Sequence, residues 1–436
     1  MHSKPFKAAL MALSGAFGIA GQAAAQGTDD EVSYEVRAGD TLNDLASEYL
    51  ISAKLVPQLM QLNKIRNARR LQVGTVLRIP RSFLRYELEP LRVVAFSGPV
   101  TVSLSGNSQP PRLGAQVLQG AVINTGPKGF ISLGGTGNSR LSLPSNSKVE
   151  LREAKRYLIN DAIDFDIRVL GGRGETRAPK LKSQERFKLG TPFAVTAVRG
   201  TEFRVGYDPI AELSLTEVVE GNVMVSVGPS EAEAEAGAGI ASTATSLGPK
   251  EALLPAPDMK DAGRIQTEEK VSFHLNPLTD AAKYRTQLAR DAGFIEVIAE
   301  QISEDTTVAF DELADGRLFV RSRAIGQSGL EGFAEVYSFR RKRVGASASV
   351  EQSPFADLFK FVWLPEGEGT SFAAFQLWDS SRPDVLLIDE VAMEEKGVYI
   401  GQLPPASYKW RVGTFQIDDG DIIKVWGPDQ DFVVSE

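Results

Sequence analysis

One segment, residues 34–80, constrains the fold of this chain more than any other, because its turns and apolar spacing leave few arrangements open. Residues 34–37 predict a short strand, and Ala38-Gly39 predicts a turn. Asp40 or Thr41 is then placed to cap a helix. Four apolar residues at helical spacing predict one buried stripe on that helix: Leu42, Leu45, Ala46 and Tyr49.

A second helix must begin near Pro57, because proline is tolerated only in a first helical turn. This helix carries Leu59, Met60 and Leu62 towards the first helix and stops at Asn63. A turn at Gly74-Thr75 leads into a closing strand, Val76–Pro80. The predicted β-α-α-β unit has no charged pair or nucleophile in its core, so we expect its function to lie on the loops.

The segment resembles a LysM module, a peptidoglycan-binding domain. The resemblance implies that N-acetyl groups of the glycan lie in a shallow groove between the first strand–helix loop and the loop after the second helix. Carried over residue by residue, it implies these glycan-binding residues: Gly39, Asp40, Thr41, Leu42, Leu62, Asn63, Ile65 and Arg66. The turn at Gly39 exposes backbone groups that match an acetamide, while Leu42 and Ile65 cover its methyl group. The alternative interpretation is that Gly39-Asp40-Thr41 is only a turn with a cap and Asn63 only a helix stop.

The charge of residues 34–81 is net +4, with four acidic residues and eight basic ones: Arg37, Lys54, Lys64, Arg66, Arg69, Arg70, Arg78 and Arg81. Peptidoglycan stem peptides carry free carboxylates, so weak electrostatic steering towards the wall is one interpretation. A solvated basic face is the other.

The N-terminus predicts export. Lys4 and Lys7 precede an apolar run over residues 8–20, and Ala23-Ala24-Ala25 supplies a cleavage site, so residues 1–25 are interpreted as a secretory signal peptide. No later segment approaches eighteen apolar residues, and we expect no transmembrane segment in the mature chain. The chain has no cysteine, which excludes disulfides and thiol catalysis and fits a periplasmic, wall-associated protein.

Charge also excludes a class of partner. Removing residues 1–25 gives a mature net charge of −10, and the chain outside the LysM segment carries −14. No basic stripe interleaved with aromatic residues interrupts this acidic remainder, so we expect no nucleic-acid partner. A length of 436 residues predicts three or four domains at roughly 100–150 residues each.

Residues 90–228 are dominated by short strands separated by turn residues. Apolar residues alternate in two runs, Phe203-Val205-Tyr207 and Val223-Val225-Val227, as in half-buried antiparallel strands. The region resembles a FecR domain, a periplasmic module of iron-uptake signalling proteins, in the stretches 113–151, 191–207 and 217–225. The resemblance implies a protein contact or a sensing role.

Three details of this region carry expectations of their own. In the most specific stretch, residues 198–203, Arg199 is interpreted as a structural arginine paired with Glu202 or Glu220. Residues 171–174 lack the lysine of a phosphate loop, so a glycine loop between strands is predicted. Signalling FecR proteins carry a cytoplasmic anti-sigma segment and a transmembrane helix ahead of this domain. A signal peptide and a LysM segment stand there instead, so we expect no direct anti-sigma role.

The remainder predicts a linker and two sandwiches. Residues 229–264, rich in Ala, Glu, Gly, Ser and Pro, predict a mobile connector, part of which packs back on the β-rich module. An internal repeat then follows at an offset of 88 to 90 residues, in which Phe273 corresponds to Phe361 and Arg321 to Arg411. Residues 265–345 and 350–436 both resemble fibronectin type III or immunoglobulin-like domains.

Aromatic and acidic residues of the repeats have two interpretations. The preferred interpretation of the four tryptophans is that they are core residues, and the alternative is that they form a binding face: Trp363, Trp378, Trp410 and Trp426. Residues 418–421, Asp-Asp-Gly-Asp, offer carboxylates to calcium, but Asp-Gly is also a strong hairpin signal, and a hairpin is preferred.

The residue inventory excludes most wall hydrolases. The chain has no cysteine, and His274 is the only histidine after signal cleavage, too few for a zinc peptidase. A serine triad would place its base on a sandwich strand, and a carboxylate-pair glycosidase would need a cleft that no segment supplies. We therefore expect no catalytic residue, no metal and no cofactor.

The sequence thus predicts a multi-domain, mainly β protein: a small β-α-α-β LysM module, a β-rich FecR-like domain and two β-sandwich domains. Its predicted function is non-enzymatic: binding N-acetylglucosamine-containing peptidoglycan in the periplasm, with an envelope protein as the partner of the FecR-like domain. The alternative is a signalling subunit that regulates an inner-membrane sensor, and a third is a peptidoglycan glycosidase.

Overall fold

The computed structural model describes residues 30–198, 201–355, 358–418 and 420–435. The predicted signal peptide, Arg199 and Asp419 lie outside these ranges. The chain divides into two compact units. The first, here the LysM unit, comprises the described residues up to 85 together with Leu158–Asn160, and the second comprises Tyr86–Tyr157 and the rest of the chain from Asp161. Strands dominate, so the predicted mainly β fold class is confirmed.

The LysM unit has the predicted β-α-α-β order. Its elements are β1 (Glu31–Glu35), α1 (Leu42–Tyr49), a 3-10 turn (Ala53–Leu55), α2 (Val56–Leu62), β2 (Val76–Pro80) and a second 3-10 turn (Arg81–Phe83). The first strand begins three residues before the predicted Tyr34, because Val32 and Tyr34 alternate inward opposite Ile79 and Leu77 of antiparallel β2. Thr41 is the N-cap of α1, accepting a hydrogen bond from the amide of Asp44.

The helices pack largely as their periodicity predicts, but Tyr49 and Met60 are only half-buried, and Leu62, predicted to face the first helix, is exposed. Leu42, Leu45 and Ala46 of α1 are buried, and Leu59 of α2 lies 1% exposed in the same core. At the end of α2 the amide of Ile65 donates to Met60 O (2.9 Å), and that of Lys64 donates to Gln61 O (3.3 Å). This is the Schellman arrangement, which requires a left-handed residue, and Lys64 supplies it with φ +55°.

Replacing Lys64 with glycine is expected to stabilise the LysM unit by about 0.5–1 kcal/mol, since glycine adopts a left-handed conformation without the strain of a Cβ atom. Lys54→Gly is the matched control, because Lys54 lies inside a 3-10 turn and glycine there should destabilise by about 0.5–1 kcal/mol. Hydrogen exchange of residues 42–80 measures both variants. Equal effects of the two substitutions would contradict the prediction.

In its described residues the β-rich module contains eighteen strands, most of them short. They are β3 (Tyr86–Leu88), β4 (Leu91–Ser97), β5 (Val100–Leu104), β6 (Asn107–Gln109), β7 (Gln116–Val117), β8 (Val122–Thr125), β9 (Phe130–Gly134), β10 (Arg140–Leu143), β11 (Lys148–Tyr157), β12 (Ile163–Arg177), β13 (Arg186–Gly190), β14 (Val195–Val198), β15 (Glu202–Asp208), β16 (Leu213–Glu220), β17 (Asn222–Val227), β18 (Ser230–Glu235), β19 (Ala238–Ser242) and β20 (Leu247–Ala252). A 3-10 turn, Thr136–Asn138, precedes β10.

Strand pairing organises this module around the long strand β12. The first half of β12 belongs to a sheet with the strand order β6-β5-β8-β11-β12-β13-β14-β17-β18. The second half of β12 belongs to a sheet with the strand order β7-β4-β9-β10-β12-β15-β16-β19-β20. One apolar core contains both predicted alternating runs, from Phe203 to Tyr207 and from Val223 to Val227.

Two predictions for this module are wrong. Residues 171–174 are no loop between strands. They lie within β12, where this strand changes its partner from β11 to β15. The bend there needs glycine at position 172, because φ is +70° and a Cβ atom would approach Asn146 O to 2.3 Å. The predicted linker 229–264 contains strands instead. The alternation of alanine and glutamate places Ala234 in the core and the glutamates outside. Composition alone does not reveal this alternation, so it predicted a connector.

Two sandwiches follow, as predicted. The first has β21 (Met259–Lys260), β22 (Ile265–Gln266), β23 (Val271–Leu275), β24 (Lys283–Ala289), β25 (Val297–Ser303), β26 (Thr307–Phe310), β27 (Gly316–Ile325) and β28 (Glu331–Arg341). The second has β29 (Gly345–Glu351), β30 (Leu358–Glu366), β31 (Ser371–Asp379), β32 (Leu386–Met393), β33 (Gly397–Gly401), β34 (Ala406–Asp418), β35 (Asp421–Trp426) and β36 (Gln430–Val434). In the first sandwich the two sheets have the strand orders β21-β23-β26 and β22-β28-β27-β24-β25. In the second they have the orders β29-β30-β33 and β32-β31-β34-β35, and β36 also pairs with β34.

The repeat holds for most strands, although β22 has no counterpart in the second copy, and it extends to side chains. In the first copy Arg321 Nε donates to Gln287 Oε1 at 2.9 Å, and Gln287 Nε2 donates to Glu300. In the second copy Arg411 Nε donates to Gln376 Oε1, also at 2.9 Å, and Gln376 donates to Asp389. Trp363, Trp378 and Trp410 are buried, and Trp426 is half-buried beside Arg411. Strands β34 and β35 pair antiparallel, with Asp418 opposite Asp421, as the predicted hairpin requires.

Candidate functional site

The first candidate site is the groove beside the N-terminus of α1. The amide of Leu42 donates to Ala68 O at 2.8 Å, and the amide of Gly74 donates to Val36 O at 2.9 Å. These bonds place the loop after β1 directly against the loop after α2. The two loops that the LysM resemblance singled out are therefore neighbours.

The eight predicted groove residues divide by exposure. Gly39, Leu62 and Arg66 are exposed, and Ile65 is half-buried, so these four present surface. Leu42 is fully buried, with a relative exposure of 0%, so its side chain forms core and cannot cover a ligand methyl group as expected. Only its backbone lies at the junction of the loops.

Asp40 and Thr41 have local structural partners. Asp40 Oδ2 accepts hydrogen bonds from the hydroxyl of Tyr34 (2.9 Å) and the amide of Arg37 (2.7 Å), which fixes the turn at Gly39. Burial and this bond to Asp40 raise the pKa of Tyr34 above its ordinary value. Thr41 Oγ1 donates to Asp44 and accepts from its amide. Both side chains therefore fix the backbone of the loop after β1 and the start of α1.

Asn63 is committed to the fold. Its Nδ2 donates to Leu59 O (3.0 Å) and Arg78 O (2.8 Å), and its Oδ1 accepts from the amide of Arg78 at 2.7 Å. The side chain thus joins the end of α2 to β2, because it pairs with both backbone groups of Arg78 as a neighbouring strand would. Because its Nδ2 and Oδ1 atoms already make these hydrogen bonds, the Asn63 amide is poorly suited to bind a sugar.

The rim of the groove is basic. Lys64, Arg66, Arg69 and Arg70 are all exposed on the loop after α2. Within the described part of the chain none of the four has a carboxylate partner within 4.0 Å, whereas Arg78 pairs with Glu31 at 2.6 Å. The positive charge predicted from the sequence is therefore concentrated beside the groove.

A second candidate site, here the interface network, lies where the β-rich module meets the first sandwich. Its charged residues are Arg173, Glu175, Arg204 and Glu217 of the β-rich module and Arg285, Glu300, Arg321, Arg323 and Glu331 of the first sandwich. Glu217 and Glu331 have fully buried side chains. Sequence reasoning missed this network, and the recurrence of Arg321 in the repeat was its only signal.

Glu217 and Glu331 form the centre of the interface network. Glu217 accepts from Arg173 and Arg204, each at 2.7 Å, and from the backbone amide of Glu331 at 2.7 Å. Glu331 in turn accepts from Arg285 at 2.7 Å and Arg173 at 2.9 Å. Arg173 and Glu331 belong to different modules, so the network ties the two together.

Electrostatics keep the carboxylates of Glu331 and Glu175 ionised. Burial alone would raise the pKa of Glu331, but Arg173, Arg285 and Arg323 hold it far below its ordinary value. Burial likewise acts against the charged form of Glu175, and the neighbouring Arg323 and Arg321 outweigh it, so its pKa is also well below the ordinary value.

These lowered pKa values predict a pH dependence. A carboxyl whose pKa is lower in the folded protein stabilises the fold fully above its unfolded value, about 4.3, and progressively less as the pH falls below it. Urea unfolding followed by circular dichroism should therefore show falling stability from pH 5 to pH 3. Glu331→Gln, which removes one such group, should show a shallower dependence, and identical slopes would contradict the prediction.

His274 lies on β23 as a cross-strand residue. It is exposed, and its Nδ1 lies 3.0 Å from Oγ1 of Thr307, its partner on β26. His274 therefore lies on a sandwich strand, the position predicted from the sequence in preference to a role as a catalytic base. Among the described helices, none has the length and apolar character needed to cross a bilayer.

Comparison with known families matches two segments. The LysM domain model matches residues 34–80, and the FecR protein model matches residues 121–224. Both resemblances seen in the sequence are thereby confirmed. These are binding or regulatory domains, and they fit an envelope-associated protein. No curated protein matches the chain.

Solved structures give weaker likenesses. A candidate anti-sigma factor from Parabacteroides distasonis has 15% identity and a TM-score of 0.26, over 30% of this chain and 59% of that one. The match therefore spans less than two thirds of that structure. Fibronectin(III)-like modules of Clostridium thermocellum CbhA have 10% identity and a TM-score of 0.20, over 40% of this chain and 90% of theirs. A two-domain fibronectin type III segment of chicken tenascin has 11% identity and a TM-score of 0.20, over 39% and 97%.

Proposed function

We propose that this chain, which carries a LysM domain and a FecR domain, is a non-enzymatic periplasmic protein that binds peptidoglycan and anchors the FecR domain to the cell wall. The observation that carries the proposal is the pair of adjoining loops, joined by the bond from Leu42 N to Ala68 O, with a basic rim. A groove of this kind suits a neutral sugar flanked by carboxylates.

The proposed glycan contacts are Gly39, Leu62, Ile65 and Arg66, which present surface on both sides of the groove. Leu62 and Ile65 supply apolar surface for an acetamide methyl group, and the turn at Gly39 supplies backbone hydrogen-bonding groups. Asp40, Thr41, Leu42 and Asn63 shape the groove from within. Arg66 adds a cation for the stem-peptide carboxylates.

The proposed role of the FecR domain is a protein contact or sensing. The interface network commits one face of the β-rich module to the first sandwich, so a partner would approach the remaining surface. Buried charges of the two modules contact one another, so the β-rich module and the first sandwich act together in this proposal. Separating them would leave charges such as Glu217 without partners.

Absence of catalysis is part of the proposal. A glycosidase needs a carboxylic acid whose pKa is raised so that it can protonate the leaving group. The pKa values of Glu331 and of Glu175, whose side chain is 16% exposed, are shifted in the opposite direction, downwards. These two carboxylates are therefore suited to a structural role.

A direct test is titration of the full chain with soluble N-acetylglucosamine oligomers. Leu62→Ala/Arg66→Ala should weaken binding about tenfold, the equivalent of about 1.4 kcal/mol of lost contacts. Ile51→Ala/Lys54→Ala is the matched control, since it removes an exposed apolar residue and an exposed lysine at the opposite ends of the two helices. Equal affinity of the two double variants would refute the proposed groove.

The alternative function is a signalling subunit in which the FecR domain regulates an inner-membrane sensor, and the FecR match favours it. Crosslinking of the full chain in cells distinguishes the two. Recovery of an inner-membrane kinase or cyclase would favour signalling, whereas recovery of wall or outer-membrane partners alone would favour the anchor.

A further inference from the structure

A cavity of about 310 Å³ lies beside the interface network, walled by both the β-rich module and the first sandwich. Its volume is at the lower end of the roughly 300–1,000 Å³ range of ligand sites, and domain interfaces are a frequent place for such sites. Arg177, with 59% of its side chain exposed, lines it and opens it towards solvent.

Arginine dominates the cavity wall. Five arginines line it: Arg140, Arg177, Arg204, Arg321 and Arg323. Only two carboxylates, Glu175 and Glu202, do so. Such a surplus of guanidinium groups in a partly closed space attracts anions, and guanidinium forks match carboxylate and phosphate oxygens.

Several guanidinium nitrogens remain available. Arg177 uses Nε and Nη2 on Glu202, Arg321 uses Nε and Nη2 on Gln287 and Glu175, and Arg140 uses Nη1 on Gly293 O. Within the described residues, the remaining terminal nitrogen of each group has no protein acceptor. Unmatched donors around one cavity indicate a missing acceptor.

The local electrostatics agree with this geometry. Desolvation, together with the neighbouring Arg323, lowers the pKa of Arg321 to about 9. Desolvation lowers the pKa of Arg204 as well, and Arg323 adds to the effect. Both shifts come first from burial, and Arg323 adds a like charge beside each group.

We propose that this cavity binds a small multivalent oxyanion, a molecule carrying two or more carboxylate or phosphate groups. Arg140 and Arg177 hold it at the mouth, and Arg321 holds it at the inner end. The aromatic ring of Phe294, on which the Arg321 guanidinium stacks at 4.1 Å, keeps that arginine in place.

Binding here would stabilise the assembly of two modules. Arg140 and Arg177 belong to the β-rich module, and Arg321 and Arg323 belong to the first sandwich. A ligand held by both walls binds only the docked arrangement, so it raises the stability of that arrangement by linkage. The site is independent of the glycan groove, and its test does not depend on peptidoglycan binding.

The test is calorimetric titration of the full chain with citrate, a tricarboxylate, and separately with pyrophosphate, at constant ionic strength. Arg177→Gln is expected to weaken binding about tenfold or more, since a charge-assisted hydrogen bond is lost. Arg140→Gln should weaken it similarly. Arg290→Gln is the matched control, because Arg290 has the same exposure (58%) and a comparable ion pair with Glu296 at 2.9 Å, outside the cavity lining.

Saturable one-to-one binding that Arg177→Gln and Arg140→Gln weaken and Arg290→Gln leaves unchanged would support the site. The tighter of the two probes then identifies carboxylate or phosphate as the preferred group. Three results would overturn the proposal: no saturable binding of either probe up to about 10 mM, equal weakening by the Arg177 and Arg290 variants, or binding that both cavity variants leave unchanged.

Discussion

Replacing Glu331 with glutamine is expected to lower the free energy of unfolding of the β-rich module and first sandwich by about 3–5 kcal/mol. The side chain is fully buried and accepts hydrogen bonds from Arg285, Arg173 and, at 3.4 Å, Arg323. Glutamine keeps the shape of the side chain but removes the negative charge, so three desolvated guanidinium groups lose their common counter-ion. Urea unfolding at pH 7 measures the change.

Glu296→Gln is the matched control for this prediction. Glu296 pairs with Arg290 at 2.9 Å, but both side chains are about half exposed, at 48% and 58%. Exposed pairs of this kind contribute roughly 0–1 kcal/mol. If the two substitutions differed by less than about 1 kcal/mol, the interface network would not hold the two modules together, and its place in this account would be lost.

Replacing Asn63 with alanine is expected to destabilise the LysM unit by about 2–3 kcal/mol, because three hydrogen bonds are lost and both backbone groups of Arg78 are left without partners. A unit of about fifty residues has only about 3–7 kcal/mol of stability to lose. Hydrogen exchange of residues 56–80 in the full chain measures the effect. Loss of glycan binding in this variant would reflect unfolding.

Asn67→Ala is the comparison for Asn63. Asn67 Oδ1 accepts only from the amide of Arg69, at 2.9 Å, on an exposed loop. Its loss should change stability by about 0.5–1 kcal/mol at most. Similar protection of residues 56–80 in both variants would mean that the bond between α2 and β2 is not the main support of the groove.

Local patterns were sufficient to predict the LysM unit. The stripe from Leu42 to Ala46, the proline in the first turn of α2 and the strand Val76–Pro80 depend on residues close in sequence. The two groove loops followed from the family resemblance. The LysM resemblance implies a ligand contact for Asn63, and the sequence cannot correct this, because a helix-stop asparagine looks the same whether its amide faces solvent or a strand fifteen residues away.

The interface network could not be predicted from local patterns. In β27, Leu318 and Val320 face the core, and the outward positions Arg321 and Arg323 look like ordinary solvent-facing residues of a half-buried strand. They are buried only because Glu175, about 150 residues earlier, docks on that face. The second copy shows the difference, since Arg411 occupies the same position and stacks on Trp426 at 4.7 Å.

The strands of residues 230–252 show a different limit. Alanine and glutamate are poor strand formers, so composition indicated a connector. The alternation is nevertheless regular, and the small inward side chain of Ala234 fits a core that is already filled by Val223 and Val225 of β17. Period-2 patterning decided the structure where residue preference pointed elsewhere.

The central claim is that the groove of the LysM unit holds this protein on the cell wall. Co-sedimentation of the full chain with purified sacculi tests it most directly, with Leu62→Ala/Arg66→Ala and Ile51→Ala/Lys54→Ala beside it. We predict that the full chain and the Ile51/Lys54 variant pellet with sacculi while the Leu62/Arg66 variant stays in solution. If none of the three pellets, or if all three pellet equally, the wall-anchor account is contradicted.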